Sequence, residues 1–267
     1  MNTGKKKGIS TNAHFSSVIN KAKTSFENAF ADDEFYNRQT RDEEHLNNIL
    51  EKLKLKAGDR ILDLGTGTAY LAFGIARKYH DVSIIGLDIV AKTLEENNQK
   101  AREQDILNVE FMCYGGLALP FEDDFFDWVV TRYVVHHFPD IHQSFTEVTR
   151  VLKPGGFFFI SDPVPNENDD FRFVDAFMQL KDDGHIKFYT LEEFIETALF
   201  CGMRFMDSFD SSITFPRIAN EAYDELIAKT DDVIRKSYNV KRVGNEYYIT
   251  EKVINALFQK EAGKTWA

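Results

Sequence analysis

The residues best suited to chemistry in this sequence are Asp63, Gly65 and Gly67, which stand two positions apart where an apolar run meets a predicted helix. Glycine leaves the backbone bare at such a turn, so a ligand can approach the main chain there. The first N–H groups of the following helix point into the same space. Residues 60–71 are therefore predicted to form a strand, a ligand-binding turn and the start of a helix.

The spacing of this turn separates two kinds of ligand. A dinucleotide-binding turn has the pattern G-x-G-x-x-G, and its third glycine lets the helix pack closely on the strand. Position 70 is tyrosine, so that third glycine is missing. The carboxylate of Asp63 would repel a pyrophosphate and attract a cation. The turn therefore favours a ligand that carries an ammonium group.

Asp88 follows a second apolar run, residues 82–87, and lies 21 positions beyond Gly67. In a βαβ unit, an acidic residue about 20 positions past the glycine turn closes the second strand and accepts hydrogen bonds from a ribose diol. An aspartate at a strand end also serves as an ordinary helix cap. Because the glycine turn precedes it, the ribose role is the favoured interpretation.

Three motifs along the chain resemble those of the class I S-adenosylmethionine-dependent methyltransferases, in the same order. They are Asp63-x-Gly65-x-Gly67, Leu119-Pro120-Phe121 and Lys153-Pro154-Gly155-Gly156. The resemblance covers residues 55–162 and is strongest to the ubiquinone/menaquinone-biosynthesis type. Ala69 stands where many members have a third motif glycine.

The resemblance implies S-adenosyl-L-methionine as the cofactor, with its ammonium, carboxylate, sulfonium and ribose. Many members have an aspartate near position 115 that binds the adenine amino group, but this chain has Gly115. Adenine recognition is thereby left to the backbone around Gly116 and Leu117. The implied cofactor-binding residues are Asp63, Gly65, Thr66, Gly67, Asp88, Ile89, Gly116, Leu117 and Arg132.

Strand and helix patterns alternate through residue 160, which predicts an α/β fold with helices on both faces of a mainly parallel, doubly wound sheet. Two further strands near the C-terminus would give seven, and the resemblance implies that the last is antiparallel. Residues 204–209 read as one of them, whereas 247–259 are ambiguous. Capping boxes at Thr40 and Thr190 predict helix starts, and residues 218–236 read as helical.

Four segments are predicted along the chain. Residues 1–54 form N-terminal helices that are a candidate lid, and 55–162 form the cofactor-binding core. Residues 163–189 form a helical cap inserted after the fifth strand, and 190–267 complete the sheet. The apolar helix faces of 13–30 and 169–180 could cover the ligand crevice at the sheet edge, although ordinary packing explains them equally well.

His136 and His137 follow the fourth strand, at the edge where acceptors bind in open α/β sheets. A neutral imidazole can take a proton near pH 7, so both are candidate catalytic residues. Support of the loop is the alternative interpretation. The candidate substrate or lid residues are Tyr36, Tyr133, Phe173 and Phe177.

The composition limits the classes of partner that this protein is expected to bind. The net charge of −11 argues against a phosphate backbone or an anionic membrane as partner, since both attract basic surfaces. Lys5-Lys6-Lys7 is followed by no apolar run, and nowhere do 18 apolar residues stand together, which predicts a cytoplasmic protein. Cys113 and Cys201 are expected to be buried free thiols, and their spacing does not suit a zinc site.

The sequence thus predicts methyl transfer from S-adenosylmethionine to a small-molecule acceptor, catalysed mainly by positioning the acceptor in line and excluding water. Two alternatives stay open. One is a non-catalytic cofactor-binding or interaction protein. The other is a nicotinamide-dependent oxidoreductase, which would use the same sheet and Asp88 but is disfavoured by Asp63 and by tyrosine at position 70.

Overall fold

The computed structural model describes residues 15, 17–27, 42–181 and 183–263. Helices alternate with the first five strands, as the apolar runs and amphipathic segments predict. The helices are α1 (17–27), α2 (Glu43–Lys52), α3 (Tyr70–Lys78), α4 (Ala91–Glu103), α5 (Ile141–Val151), α6 (Phe173–Gln179), α7 (Leu191–Phe200), α8 (Glu221–Lys229) and α9 (Asp232–Ser237). The strands are β1 (Arg60–Leu64), β2 (Ser83–Asp88), β3 (Val109–Cys113), β4 (Phe126–Arg132), β5 (Leu152–Val164), β6 (Met203–Ile218), β7 (Lys241–Val243) and β8 (Glu246–Lys260).

The strands form one sheet in the order β3-β2-β1-β4-β5-β8-β6. Strands β1 to β5 are parallel, while β8 lies antiparallel between β5 and β6. The predicted class, a doubly wound and mainly parallel sheet, is confirmed. The three-residue strand β7, which pairs with the start of β8, was not predicted.

Apolar clusters cover both faces of the sheet because each parallel strand is buried between helices. On one face, α5 and α7 pack on the sheet through side chains such as Phe145, Val148 and Phe194. On the other, α2, α3 and α4 contribute Ile49, Ala72 and neighbouring apolar residues to a second cluster. The carboxyl ends of β1 to β4 therefore meet at one edge, between the helix layers.

The N-cap residues in the structure show whether the helices begin where the sequence predicts. Asp140 caps α5 by accepting from Gln143 N at 3.0 Å, and Thr190 with Glu193 forms the predicted capping box of α7. The prediction for α2 was wrong, since its cap is Asp42, whose carboxylate accepts from His45 N at 2.9 Å. Thr40, the predicted cap, lies outside the described residues.

A long ribbon of β6 and β8 extends past the end of β5. Strand β6 has 16 residues, far more than the predicted 204–209, because β8 pairs with it as far as Ile218. The ambiguous segment 247–259 is strand throughout. The helix predicted over 218–236 is two helices, since α8 ends at Lys229 and Asp231 caps a new helix.

A third apolar cluster joins α6 to the ribbon and to α8. The helix predicted over 169–180 begins only at Phe173, because Arg172 has a φ of 58° and cannot continue a right-handed helix. Asp169 instead accepts hydrogen bonds from Phe173 N and Val174 N. The cluster forms a small core of its own beside the sheet edge.

Two smaller expectations concern the cysteines and the membrane. Both cysteines are free thiols, but the expected burial of Cys113 was wrong, because it ends the edge strand β3 and is exposed. Within the described residues, every helix is too short or too polar to cross a bilayer.

Candidate functional site

The glycine turn after β1 is fixed by the end of β2. Gly65 N and Thr66 N both donate to the carbonyl of Leu87, at 2.8 and 3.0 Å. Gly65 has a φ of 70° and Gly67 a φ of 49°, in the left-handed region that favours glycine. The chain then enters α3 at Tyr70, so the predicted strand, turn and helix are confirmed.

The Asp63 side chain ties this turn to α3. Its Oδ2 accepts from Thr66 Oγ1 at 2.6 Å and from Ala72 N at 3.1 Å. Burial raises the pKa of Asp63 to about 6, against the opposing effect of the Thr66 hydrogen bond. One carboxylate oxygen is thus committed to the fold, and Oδ1 accepts no hydrogen bond from the described residues.

Asp88 ends β2 and holds the neighbouring loops. Its Oδ2 accepts from Gly67 N at 2.9 Å, and its Oδ1 accepts from Val90 N at 3.0 Å. Burial raises the pKa of Asp88, while these backbone N–H groups oppose the rise. The two oxygens of a carboxylate can together accept about four hydrogen bonds, so Asp88 keeps capacity for a ligand beside its backbone contacts.

One pocket opens at the carboxyl edge of β1, β2 and β4, beneath α1. Of the predicted site residues, those lining it are Asp63, Gly65, Thr66, Gly67, Asp88, Ile89, Gly116, Arg132, Tyr133 and His137. Leu117 and His136 do not line it. Phe173 and Phe177 lie in the third apolar cluster instead, and Tyr36 is outside the described residues.

Several lining residues were missed by sequence reasoning, although a positional rule could have found them. Tyr114 directly follows β3, and Phe138 and Pro139 follow the end of β4 closely. Residues just past the carboxyl ends of parallel strands line the ligand crevice in this class of fold. From α1, Ile19, Ala22 and Phe26 reach the pocket.

Arg132 lies between two aromatic rings at the pocket wall. Its guanidinium carbon is 4.0 Å from the Tyr70 ring centroid and 3.9 Å from that of Tyr133. Its Nε is buried without a hydrogen-bond partner among the described residues. Tyr133 itself has a φ of 58°, a strained backbone conformation of the kind found at functional sites. A buried cation that is stacked in this way offers a carboxylate a fixed partner.

The adjacent histidines face different surroundings because the chain makes a 3-10 turn over Val135–His137. His136 Nδ1 lies 2.9 Å from Asp162 Oδ2, and both side chains are buried. Burial lowers the pKa of His136 well below its usual value and raises that of Asp162 to about 7, so both shifts favour uncharged forms. His137 lines the pocket, and burial with the neighbouring His136 lowers its pKa to about 3.

These pKa values change the chemistry predicted for the two histidines. Both rings are neutral near pH 7, as expected, but a base with so low a pKa takes protons weakly. His136 is also separated from the pocket. The geometry therefore favours hydrogen bonding by His137 over proton abstraction by either ring.

A buried polar cluster lies beside the histidines, between the sheet edge and the third apolar cluster. His185 Nε2 contacts Asp175 Oδ1 at 2.9 Å. Glu251 is fully buried on β8, and neither of its oxygens has a hydrogen-bond partner among the described residues. Burial raises the pKa of Glu251 to about 8, with Arg217 opposing the rise and Asp162 adding to it. Nothing in the sequence pattern marked this cluster.

Replacing Glu251 with glutamine is expected to remove a pH dependence of folding. The folded-state pKa of about 8 lies above the unfolded value of 4.5, so between these values the folded protein keeps a proton that the unfolded chain has lost. Raising the pH therefore costs the wild type stability. The advantage of Glu251→Gln should grow by up to about 1.4 kcal/mol per pH unit and level off above about pH 8.

Urea unfolding at a series of pH values measures this difference. Glu110 is exposed on β3, so Glu110→Gln is the matched control. Its free energy of unfolding, plotted against pH, should run parallel to that of the wild type. If the free energy of unfolding of Glu251→Gln also ran parallel to that of the wild type, folding would not shift the pKa of Glu251.

Comparison with known proteins identifies the family. A model described as a methyltransferase domain matches residues 55–196, which is more than half of the chain. The chain belongs to the class I S-adenosylmethionine-dependent methyltransferases. S-adenosylmethionine is the cofactor of this family.

The relatives of this methyltransferase chain match it in part. Over 156 residues it is 32% identical to the uncharacterized methyltransferase YcgJ of Bacillus subtilis, a match covering 56% of this chain and 59% of YcgJ. It is 31% identical to demethylmenaquinone methyltransferase of Staphylococcus saprophyticus, over 40% of this chain and 46% of that protein. It is 36% identical to 27-O-demethylrifamycin SV methyltransferase of Amycolatopsis mediterranei, over 41% and 40% respectively.

The chain therefore spans less than two thirds of the length of these relatives. In three dimensions the likeness extends further, since the crystal structure of YcgJ covers 82% of this chain and 98% of its own with a TM-score of 0.70. At 24% identity in that alignment, the likeness shows a shared fold.

Proposed function

We propose that this methyltransferase moves the methyl group of S-adenosylmethionine to a small-molecule acceptor. The observation that carries the proposal is the pocket at the carboxyl edge, where the glycine turn, two carboxylates and one stacked guanidinium converge. The matched relatives named for demethylmenaquinone and 27-O-demethylrifamycin SV support an acceptor of small size. The net charge of −11 argues against a nucleic acid acceptor.

The residues at the turn fit the cofactor. Gly65 approaches Val134 so closely that an added Cβ would lie 2.5 Å from its methyl carbons, so the bare backbone is required there. Asp63 Oδ1 is available for an ammonium. Arg132 Nε has no hydrogen-bond partner among the described residues, and the carboxylate of the cofactor could be that partner. The remaining lone pairs of Asp88 suit a ribose diol, as predicted. Gly116, beside Ile19 of α1, would flank the adenine.

When bound, the cofactor supplies a methyl group already activated by its sulfonium, so the acceptor's lone pair forms a bond to the methyl carbon as the carbon–sulfur bond breaks and its electron pair returns to sulfur. The chain has to hold the acceptor in line and exclude water. Ile19, Ala22 and Phe26 cover the pocket from α1, which would limit the entry of water. Catalysis by positioning is consistent with the low pKa of His137.

We also propose that α1 belongs to an N-terminal lid, as the division at residue 54 predicts. Ala22 packs against Gly184, in the loop that follows α6. A Cβ added at Gly184 would lie only 3.0 Å from the Cβ of Ala22. The helix thus contacts both the cofactor-binding core and the segment predicted as a cap. Of the proposed boundaries of that segment, the one at residue 189 lies just before α7, whereas the one at residue 162 falls two residues before β5 ends at Val164.

A non-catalytic cofactor-binding protein remains as the rival, whereas the family match and the site both argue against a nicotinamide-dependent oxidoreductase. Arg132 and its aromatic neighbours suit a carboxylate, a group that the nicotinamide dinucleotides lack. Asp63 places a negative charge at the glycine turn, where a dinucleotide fold holds its pyrophosphate. Both features favour the amino-acid part of S-adenosylmethionine.

Calorimetric titration separates the two ligand classes. We expect S-adenosylhomocysteine to bind at least about 100-fold more tightly than NAD, since it meets Asp63 and Arg132 with complementary charges. Transfer of a labelled methyl group to a panel of small acceptors then tests catalysis. Tighter binding of NAD would contradict the cofactor assignment, and binding without transfer to any acceptor would favour the non-catalytic alternative.

A further inference from the structure

The pocket lining has a second half that the cofactor residues do not explain. This half comes from α1 and from the residues that follow β4, and it consists of Phe26, Tyr133, Val134, His137, Phe138 and Pro139. Among these described residues there is no Asp, Glu, Lys or Arg. Given the proposed function, on which this inference rests, this is where the methyl acceptor lies.

His137 is the polar group that stands out in this half. Its Nδ1 is buried and has no hydrogen-bond partner among the described residues. The ring is held between Phe26, at a centroid distance of 5.0 Å, and His136, at 4.2 Å. Burial and His136 lower its pKa to about 3, while Asp183 and the backbone of Gly184 oppose the shift. The neutral imidazole of His137 therefore has one nitrogen whose hydrogen-bonding capacity the described residues leave unused.

Charge balance limits what that ligand can be. The charged side chains that line the pocket are Asp63, Asp88 and Arg132, which sum to −1. S-adenosylmethionine has one ammonium, one sulfonium and one carboxylate, which sum to +1. The occupied pocket is then neutral only when the acceptor is uncharged, and a buried charge without a partner is strongly unfavourable.

We infer that the acceptor is an uncharged compound with an apolar body and a hydroxyl group that hydrogen-bonds to His137 Nδ1. A hydroxyl both donates and accepts, so it satisfies the ring nitrogen in either tautomer. Phe26, Phe138 and Pro139 contact the apolar body. His137 acts as the residue that recognises and orients the hydroxyl.

The test uses matched fragments bound to the whole 267-residue chain saturated with sinefungin, whose amine carries a positive charge where S-adenosylmethionine has its sulfonium. Three naphthalene probes share one body: 2-naphthol, 2-naphthoic acid and naphthalene itself. Calorimetry is expected to give about tenfold tighter binding for the naphthol than for either of the others, because only the naphthol satisfies His137 without adding a charge.

Variants assign the preference to His137. His137→Phe should bind naphthol and naphthalene equally, whereas His137→Gln, which keeps a hydrogen-bonding group, should retain part of the preference. His142→Phe changes an exposed histidine on α5 and is the matched control, with the wild-type preference expected. His142→Phe should also keep the wild-type affinity for S-adenosylhomocysteine.

Tighter binding of the naphthoic acid, no binding of any probe, or a naphthol preference that survives in His137→Phe would each overturn the inference. The proposed function fails separately, at the earlier step, if S-adenosylhomocysteine does not bind the wild-type protein. The two failures are therefore distinguishable.

Discussion

Gly65→Ala is expected to weaken S-adenosylhomocysteine binding by roughly 10- to 100-fold. The Cβ of alanine would lie 2.5 Å from both Val134 methyl carbons, so β4's end and the glycine turn must separate. Such overpacking costs about 1–3 kcal/mol, and the φ of 70° at this position adds strain for any side chain. Because Val134 also lines the pocket, the displacement is transmitted to the ligand.

Gly58→Ala is the matched control for backbone strain. Gly58 has a φ of 88°, but an added Cβ there meets nothing within 4 Å. This variant should lose some thermal stability and keep its affinity. Adding Val134→Ala to Gly65→Ala removes the two clashing methyl groups and should restore part of the affinity. Calorimetry gives the affinities, and unaltered binding by folded Gly65→Ala would contradict the proposed cofactor site.

Asp88→Ala is expected to lose about 2–4 kcal/mol of binding free energy, or roughly 30- to 1,000-fold in affinity for S-adenosylhomocysteine. Two effects add. The ribose loses a charged acceptor, and the N–H groups of Gly67 and Val90 lose the carboxylate oxygens that now hold them at 2.9 and 3.0 Å. Since Gly67 is part of the glycine turn, the turn itself becomes less rigid.

Another aspartate, Asp231, serves as a control that separates loss of a backbone hydrogen bond from loss of the ribose contact. Asp231 accepts from Val233 N at 2.7 Å, with the same two-residue spacing as Asp88 and Val90, but at the start of α9. Asp231→Ala should lower stability by about 1 kcal/mol and leave affinity intact. An affinity loss below about threefold for Asp88→Ala would place the ribose elsewhere.

Local signals were sufficient for the cofactor-binding core. The glycine turn, the spacing from Gly67 to Asp88 and the alternating apolar runs each depend on residues that are close along the chain. Turn chemistry and strand periodicity follow from such neighbours. The alternation of strands and helices through β5 agrees with the prediction.

Predictions failed where distant residues set the local conformation. The helix expected over 169–180 begins only after the left-handed Arg172, and a hydrogen bond from Tyr238 Oη holds Asp169 in the preceding turn. The outer half of β6 is strand because β8 pairs with it. In both cases the partner lies far along the chain, so a local pattern could not indicate it.

By itself the sequence determined the fold class, the family motifs and the group of residues around the glycine turn, because these depend on short-range spacing. It could not separate His136 from His137, which are adjacent and chemically identical. Only the tertiary structure did so, by placing Asp162 against one ring and the pocket against the other. Burial and pKa depend on which distant groups the fold brings together, and this is why Glu251 became visible only in three dimensions.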